Sequence, residues 1–487
     1  MHSLNNNKYY FGVIILIFFF TPCEYPQEDF ISTANTKFYL GNSEFYFMGF
    51  GVYYLQWMAA DSSTRYIVDN VFKVAKQFGI KVIRTWGFNS NSDSTKHSTI
   101  RYEPYKFKED GLKALDYVIY KAKQYEVNLV LTLENNFNDF GGISQYIDWA
   151  NNLLTPKTGK VYEHNDFFTD DSIKNWYKYY VNTILNRRNI YTAMRYKDEP
   201  IIFSFELINE AANTGFDVNI VTGWYKEMAD YFKSIDSNHL LATGEIGYDI
   251  HRDYYSDWDF FYNSSQFLFN GFKGTSFVGN TSLKKIDYSS FHLYPDSWEF
   301  EPLAGNTWIN DHVDITDNFN KPALLGEFGL VNEKLKNYKI YFETIRNTPT
   351  KSTIIWDYLH PDLMHIADKF AFNEVQNPEL IELFKEHIQL LDKDTVKTNT
   401  VTYILYQNYP NPFNPSTTLK YQIPQNGFVT LKVYDILGKE VATLVNEVKT
   451  QGRYEVNFNA SNLASGVYLY RLNVNDYVDV KKMILLK

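Results

Sequence analysis

The 487-residue sequence contains a single cysteine, Cys23, which excludes an internal disulfide framework and a cysteine-based metal cluster. Positive charge is also in short supply, with 47 basic residues against 57 acidic ones and a net charge of −10. Because nucleic acids are bound through positive surface charge, this balance argues against a nucleic-acid partner. Beyond the N-terminus, no segment is long and apolar enough to cross a membrane.

Several common catalytic motifs are missing as well. The sequence has no HExxH zinc motif, its ten histidines show no paired spacing, and no Gly-x-Ser-x-Gly elbow is present. We therefore expect neither a metal nor a cofactor. Aromatic residues, by contrast, reach 18% of the chain. General composition or the binding of flat sugar rings would each account for that excess.

The N-terminus has the layout of a secretory signal peptide, which we assign to residues 1–25. A polar segment with Lys8 precedes the apolar run 11–20, which is too short to span a bilayer. Cys23 follows this run, but the residues before it make a poor lipoprotein signal. Lipidation at Cys23 is left open.

Between residues 30 and 392, apolar runs of β type alternate with amphipathic segments of helical period. The eight strand candidates are Phe45–Leu55, Lys81–Phe88, Val127–Asn135, Ile201–Glu210, His239–Gly247, Ile286–Pro295, Pro322–Gly329 and Ser352–Leu359. The helix candidates include Arg65–Phe78, Gly111–Tyr125, Ile173–Leu185, Trp224–Ser234 and Glu379–Leu391. This alternation predicts an α/β fold, a (β/α)8 TIM barrel. A doubly wound sheet is the alternative, although no glycine-rich phosphate loop follows the first strand.

The character of the sequence changes after about residue 400. Short alternating strands separated by turn signals predict a small all-β sandwich over residues 403–487, joined to the barrel by a polar linker at 393–402. The strand candidates there are Thr418–Ile423, Phe428–Tyr434, Gly452–Phe458 and Gly466–Val474. A carbohydrate-binding sandwich would show the same pattern.

Four blocks of this tail resemble the C-terminal sorting domain of the type IX secretion system. In family order they are Asn408-Tyr409-Pro410-Asn411-Pro412-Phe413-Asn414-Pro415, Val433-Tyr434-Asp435-Ile436-Leu437-Gly438, Leu463-Ala464-Ser465-Gly466-Val467-Tyr468 and Lys482-Met483-Ile484-Leu485-Leu486-Lys487. The resemblance implies export across the outer membrane of a Bacteroidetes-like bacterium, with the type IX machinery as a partner. The protein would then be secreted or held at the cell surface.

In a (β/α)8 barrel, functional residues gather at the carboxyl ends of the strands. Glu210 and Glu327 end the fourth and seventh predicted strands and would face the same barrel mouth. Glycoside hydrolysis requires such a pair. One acid protonates the leaving oxygen, and one carboxylate attacks the anomeric carbon or activates water.

Other strand ends carry groups that suit this chemistry. Arg84 can keep Glu327 ionised. His292 and Tyr294 can orient the carboxylates by hydrogen bonding, and Trp356 offers a flat face for a sugar ring. Each of these residues alone has an ordinary structural explanation, but their joint placement at one barrel face favours a catalytic site.

These residues resemble the pattern of glycoside hydrolase family 5. The matching positions are Arg84, Asn209-Glu210, His292, Tyr294, Glu327 and Trp356. Blocks that resemble its endo-β-1,4-mannanase branch are Asn135-Asn136-Phe137, Tyr196-Lys197-Asp198-Glu199-Pro200 and His292-Leu293-Tyr294-Pro295-Asp296-Ser297-Trp298. The resemblance implies that Glu210 is the general acid/base and Glu327 the nucleophile of a retaining enzyme, with carboxylates about 5–5.5 Å apart. It also implies a substrate site lined by Arg84, Trp86, Asn136, Asn209, His292, Tyr294, Trp298 and Trp356.

The implied function is that of a secreted, monomeric endo-β-1,4-mannanase acting on mannan, galactomannan or glucomannan. Three alternatives stay open. The barrel could be an exo-β-mannosidase if the long loops Asn89–Lys106 and Tyr248–Phe277 close one end of the cleft, or a β-1,4-glucanase. It could also be an inactive surface glycan-binding protein.

Two positions depart from the family pattern. Ala212 stands where relatives usually have an arginine that helps to bind sugar on the leaving-group side, and Phe137 stands where many have tryptophan. Neither change touches the two carboxylates. Hydrolysis is therefore expected to persist, whereas binding on the leaving-group side is in question.

Overall fold

The computed structural model describes residues 29–256, 268–299, 301–398, 403–406, 408, 411–475 and 477–487. The predicted signal peptide and Cys23 lie outside the described residues. Within those ranges, we find no helix with both the length and the apolar character that a membrane span requires.

Eight parallel strands form the central sheet. In chain order they are β1 (Met48–Gly51), β2 (Val82–Trp86), β3 (Asn128–Thr132), β4 (Ile202–Glu206), β5 (Leu240–Ala242), β6 (Ser289–Leu293), β7 (Ala323–Phe328) and β8 (Thr353–Ile355). Their order in the sheet is β5-β4-β3-β2-β1-β8-β7-β6. Two backbone hydrogen bonds join the outer strands: Asp287 N–H donates to the Leu241 carbonyl at 2.8 Å, and His292 N–H donates to that of Ile246 at 3.1 Å. They close the sheet, and the predicted (β/α)8 barrel is confirmed.

Helices surround this barrel. The α-helices are Leu55–Ala59, Arg65–Phe78, Glu109–Tyr125, Gly142–Leu153, Thr155–Thr158, Asp166–Thr169, Asp171–Asn186, Val218–Ile235, Phe277–Thr281, Pro295–Trp298, Pro302–Asn318, Lys334–Arg346 and Pro378–Thr398. Short 3-10 helices lie at Tyr196–Asp198, Arg252–Tyr254 and Pro361–Ile366. The five helices named from apolar periodicity are all present, and four of them are longer than predicted.

Polar residues at the helix ends explain the extra length of two of these helices. The Asp170 side chain accepts hydrogen bonds from the N–H groups of Ser172 and Ile173, so that helix begins before its first apolar residue. At the other end of the barrel domain, the helix Pro378–Thr398 continues past its apolar stripe and covers most of the predicted linker at 393–402. That part of the segment is therefore helical.

A small sheet that the sequence analysis missed plugs the bottom of the barrel. It consists of three antiparallel strands, Ile31–Ala34, Lys37–Leu40 and Ser43–Glu44. Phe38 in this sheet is fully buried, and its ring centroid lies 5.2 Å from that of Phe203 on β4. With the amino ends of the strands covered, the functional side chains collect at the opposite mouth.

Residues after the barrel form two antiparallel sheets. One contains β9 (Ile404–Leu405), β10 (Ser416–Ile423) and β13 (Gly452–Asn459); the other contains β11 (Gly427–Asp435), β12 (Glu440–Lys449), β14 (Gly466–Val474) and β15 (Tyr477–Leu485). They enclose an apolar core that includes Leu419, Val429 and Leu472. The predicted all-β sandwich is confirmed, with the two-residue strand β9 and the longer β12 and β15 as strands that the prediction omitted. The last two are long enough to have been recognised. Their partly exposed, polar-rich sequences lack a continuous alternating pattern.

Gly51, at the end of β1, leaves room for the ring of Trp356. A Cβ atom there would lie 2.7 Å from Trp356 Cε3. We expect Gly51→Ala to lower the free energy of unfolding by about 1–3 kcal/mol, because the indole must move out of a packed position. Thermal and urea unfolding followed by tryptophan fluorescence would measure the change.

Gly223 provides a matched control. It lies on the exposed side of the helix Val218–Ile235, and a Cβ atom there meets no other atom within 4 Å. Gly223→Ala should raise stability by about 0.5–1 kcal/mol, since glycine costs that much in a helix. A Gly51→Ala variant as stable as the wild type would contradict the tight fit around Trp356.

Candidate active site

Glu210 reaches the barrel mouth from a segment that has already left the sheet. Strand β4 ends at Glu206, four residues earlier than predicted, because the buried apolar Leu207 and Ile208 look like strand in the sequence. Backbone hydrogen bonds fix the segment: Glu210 N–H donates to the Gly244 carbonyl at 2.8 Å. Glu210 has a φ of 54°, a left-handed conformation that is strained for a residue with a side chain. Such strain is typical of functional positions.

Glu327 lies on β7 and faces Glu210 across the mouth. One carboxylate oxygen from each residue and a ring nitrogen of His292 all lie within 4.8 Å of one another. His292 Nδ1 is 2.6 Å from Glu210 Oε1 and 3.8 Å from Glu327 Oε2. The imidazole therefore orients Glu210 through a direct hydrogen bond. It also lies close enough to Glu327 to interact with that carboxylate electrostatically.

Arg84 on β2 supports Glu327 from below. Its Nη1 donates to Glu327 Oε2 at 2.7 Å, its Nε to Glu206 Oε2 at 2.8 Å, and its Nη2 to Asn209 Oδ1 at 2.8 Å. Burial alone would lower the pKa of Arg84, but the carboxylates of Glu206 and Glu327 outweigh it and raise that pKa. The guanidinium thus stays charged inside the barrel.

Opposing influences act on the pKa of Glu327. Burial is the largest influence and Glu210 adds to it, so the pKa of Glu327 is raised overall, although His292 and Arg84 oppose this rise. The Tyr294 hydroxyl donates a hydrogen bond to Glu327 Oε1, which also favours the ionised form. Burial and nearby carboxylates raise the pKa of Tyr294 well above its usual value, so this group remains a donor.

A cleft of about 420 Å³ opens above the two carboxylates. Seven of its lining residues belong to the predicted site: Trp86, Asn209, Glu210, Tyr294, Trp298, Glu327 and Trp356. Arg84 and His292 lie buried beneath the surface and act on the carboxylates rather than lining the cleft. Asn136 is not among the lining residues. Its Oδ1 accepts a hydrogen bond from Ala212 N–H at 3.3 Å and lies 3.1 Å from His164 Nε2, so it holds two loops together.

Aromatic rings form one wall of this cleft. Trp356 stacks on Tyr53 with centroids 5.5 Å apart, and the centroid of Trp86 lies 6.0 Å from that of Trp356. The Trp356 Nε1–H donates to Asp368 Oδ2 at 3.1 Å, which fixes the indole plane. Phe137 also lines the cleft and is 48% exposed, so its ring is available to a ligand.

Some lining residues escaped the sequence analysis. Tyr53 follows β1, and the strand-end rule could have identified it. Asp368 and Phe370 come from the loop after β8, where no motif marks them. Only the folded structure shows that these two residues reach the cleft.

A second buried cation anchors one of the loops that could have closed the cleft. Arg101, in the loop 89–106, donates to Glu134 Oε2 at 3.2 Å. Its guanidinium also lies within 5 Å of the ring centroids of Tyr146, Trp149 and Tyr180. This loop is packed against the barrel wall, and none of its residues is among those that line the cleft in the described ranges.

Glu210, His292 and Glu327 also form a set of donors that could hold a divalent ion. The Arg84 guanidinium, 2.7 Å from Glu327, already supplies positive charge at this point. A metal ion there would be repelled by that cation and would compete for the bonds that orient both carboxylates. The arrangement therefore suits acid–base and nucleophilic chemistry better than metal binding.

Comparison with known families agrees with this geometry. Residues 28–370 match the model of the glycoside hydrolase family 5 β-mannosidase-like proteins. Residues 407–486 match the secretion system C-terminal sorting domain.

Individual relatives support the same grouping. The mannan endo-1,4-β-mannosidase 4 of Solanum lycopersicum is 34% identical over 403 residues, which cover 77% of this chain and 96% of that protein. The mannan endo-1,4-β-mannosidase 1 of Arabidopsis thaliana is 35% identical over 321 residues, covering 63% of this chain and 73% of that one.

Solved structures resemble the fold as well. The endo-β-1,4-mannanase from Thermotoga petrophila has a TM-score of 0.64 and 25% identity, covering 91% of this chain and 98% of its own. The endo-1,4-β-mannanase from Rhizomucor miehei has a TM-score of 0.64 and 29% identity, covering 75% and 100% respectively. The family match spans most of the chain, and this protein therefore belongs to glycoside hydrolase family 5, as a glycoside hydrolase that carries a C-terminal sorting domain for export.

Proposed function

We propose that this protein is an exported endo-β-1,4-mannanase that hydrolyses internal bonds of mannan-type polysaccharides and retains the anomeric configuration. The observation that carries the mechanism is the carboxylate pair of Glu210 and Glu327, whose nearest donor oxygens lie within 4.8 Å. Retaining enzymes place their two carboxyl groups about 5–5.5 Å apart, whereas inverting ones need about 6.5–9.5 Å to admit a water molecule. The relatives named above are mannan endo-1,4-β-mannosidases, which supports the choice of mannan as substrate.

In the first step, Glu327 attacks the anomeric carbon of the sugar. The bond from that carbon to the glycosidic oxygen breaks, and Glu210 gives its proton to this oxygen. A covalent mannosyl-enzyme and a shortened chain result. Arg84 and the Tyr294 hydroxyl hold the two oxygens of Glu327, so the attacking carboxylate has little freedom to turn away.

In the second step, Glu210 acts as a base. It takes a proton from water as the water oxygen attacks the anomeric carbon, and the bond to Glu327 breaks. Esterification has removed the negative charge of Glu327, which favours this reversal of role. His292, 2.6 Å from Glu210 Oε1, keeps the carboxyl group in place through both steps.

The charge of the cleft fits a neutral polysaccharide. Among the described lining residues, Glu210, Glu327, Asp139 and Asp368 carry carboxyl groups, and none carries a basic side chain. Hydroxyl-rich hexose chains can donate hydrogen bonds to these groups, whereas uronic acids would be repelled. Mannan, galactomannan and glucomannan all meet this requirement.

Export is the second part of the proposal. The C-terminal sorting domain supports passage through the type IX machinery to the cell surface or the medium, after an N-terminal signal at residues 1–25. Glu210, Glu327 and the residues that hold them, Arg84, His292 and Tyr294, all lie in one barrel, so a single copy suffices for the chemistry, and we propose that the enzyme acts as a monomer. A polysaccharide too large to enter the cell would then meet the enzyme outside it.

The substrate assignment predicts a defined product pattern. The purified protein should release reducing ends from mannan and galactomannan, and it should cut mannohexaose at internal bonds. Chromatography of early products would show oligosaccharides of two to four sugars. Release of mannose alone would indicate an exo-β-mannosidase, and faster action on cellulose would indicate a glucanase. No hydrolysis of any of these substrates would contradict the proposal.

Removal of the nucleophile should stop turnover but leave a cavity for a small anion. We expect Glu327→Ala to lower kcat by about 10³-fold or more. Added azide should then restore release of the leaving group from an activated β-mannoside and yield the α-mannosyl azide. Glu333→Gln is the matched control, since this exposed glutamate lies just after β7. Full activity in Glu327→Ala without azide would show that another residue is the nucleophile.

The hydrogen bond from Tyr294 should be visible in the pH profile. Because the hydroxyl stabilises ionised Glu327, its removal in Tyr294→Phe raises the pKa of Glu327. The acidic limb of kcat/KM, which reports ionisation of the nucleophile in the free enzyme, should move up by about half a pH unit to one unit. Tyr105→Phe, at an exposed tyrosine, should leave the limb in place. A shift to lower pH would contradict the assigned contact.

A further inference from the structure

Two exposed phenylalanines lie together on loops at the catalytic end of the barrel. Phe216 is 68% exposed and Phe272 is 51% exposed, and their ring centroids are 5.8 Å apart with the rings near perpendicular. Phe216 belongs to the loop that follows β4 and Glu210, whereas Phe272 belongs to the long segment that follows β5. Solvent-exposed aromatic pairs are costly in a soluble protein and mark binding surfaces more often than scattered apolar residues do.

The two loops are held in this arrangement by a buried asparagine. Asn213 N–H donates to the Lys273 carbonyl at 3.0 Å, and its Nδ2 donates to the carbonyls of Gly274 at 3.1 Å and Asp217 at 2.7 Å. Gly274 has a φ of 54°, and a Cβ atom there would lie only 2.0 Å from Asn213 Oδ1. The contact therefore requires glycine at this position and presents both rings on a fixed backbone.

The pair is connected to the cleft through short stretches of chain. Ile246 lines the cleft, and Ile250 follows it by four residues, which span at most about 14 Å even when fully extended. Ile250 is 39% exposed, and its Cγ2 lies 3.2 Å from the Cβ position of Gly271, next to Phe272. One short segment therefore carries both a residue of the cleft wall, Ile246, and a residue beside the two rings, Ile250.

We propose that Phe216 and Phe272 form an aromatic platform that binds a pyranose ring of the substrate on the leaving-group side of the cleft. The proposal rests on the assignment of Glu210 as the acid that protonates the leaving oxygen. The loop that bears Phe216 continues directly from Glu210. We therefore place it beside the part of the polysaccharide that leaves after the bond is cut. The ligand is a β-1,4-linked hexose chain, whose C–H faces pack on aromatic rings while its hydroxyl groups remain in water.

The loop that follows Glu210, residues 211–217, contains no basic side chain that could bind a sugar on the leaving-group side. Ala212 lies one residue before Asn213 and cannot make the charged contact expected of an arginine on the leaving-group side. Its N–H is already bonded to Asn136 Oδ1, which ties the loop to the neighbouring β3 loop. Stacking on Phe216 and Phe272 would replace the missing polar contact with an apolar one, farther from the scissile bond.

A test compares a long and a short substrate. For the double variant Phe216→Ala/Phe272→Ala, the ratio of kcat/KM on mannohexaose to that on mannotriose should fall about 10-fold, because only the longer chain reaches the platform. The change should arise mainly in KM. The Phe272→Trp variant, with a larger ring, should keep or raise the ratio, and it guards against a loss caused by misfolding of the alanine variant.

Phe428→Ala is the matched control, since Phe428 is 52% exposed but lies in the sorting domain. Its ratio should equal that of the wild type. An unchanged ratio in the double variant would overturn the platform while leaving the endo-mannanase proposal intact. A change in sedimentation without a change in the ratio would also overturn it, because the rings would then contact a second protein molecule. Failure of the wild type to cut mannohexaose would instead refute the proposed function itself.

Discussion

The buried guanidinium of Arg84 is the interaction on which the rest of the active site depends. It is 1% exposed and joins strands β2, β4 and β7 through Glu206, Asn209 and Glu327. Breaking such a buried pair by removing one partner typically costs about 3–5 kcal/mol, because the remaining charge is stranded in a medium of low polarity. Arg84 thus ties these three strands together at the barrel mouth, and the same cation opposes the rise that burial causes in the pKa of Glu327.

Around this cation, backbone and ring contacts set the orientation of the Glu210 and Trp356 side chains. The left-handed backbone at Glu210 is paired with the Gly244 carbonyl, and Gly51 makes room for the indole of Trp356. Both features use conformations or distances that few residues tolerate. Stability and catalysis are therefore coupled at the mouth of the barrel, where strained and tightly packed positions hold the chemistry in place.

The barrel, the sandwich and the residues at the strand ends were predictable because they follow periodic patterns and one simple rule of barrel geometry. The positions and contacts of residues in the loops were harder to predict from the sequence. The pattern could not show that β4 ends before the buried Leu207, nor that Asn136 bonds to Ala212 N–H instead of lining the cleft. Asp368 reaches the cleft from a loop without a motif. Such contacts depend on side chains far apart in sequence, which no local pattern records.

The difference between strand residues and loop residues has a physical basis, and it affects which substrates the cleft can bind. Residues on strands share a rigid, hydrogen-bonded frame, so a change in one of them disturbs the charges and distances of the whole centre. Loop residues such as Ala212 and Phe216 lie outside that frame and can change without moving Glu210 or Glu327. Loss of a charged contact at the rim is then tolerable, provided that other surface near the cleft supplies binding energy for the chain. An exposed aromatic pair on a backbone fixed by Asn213 provides such a surface at little cost to the stability of the barrel.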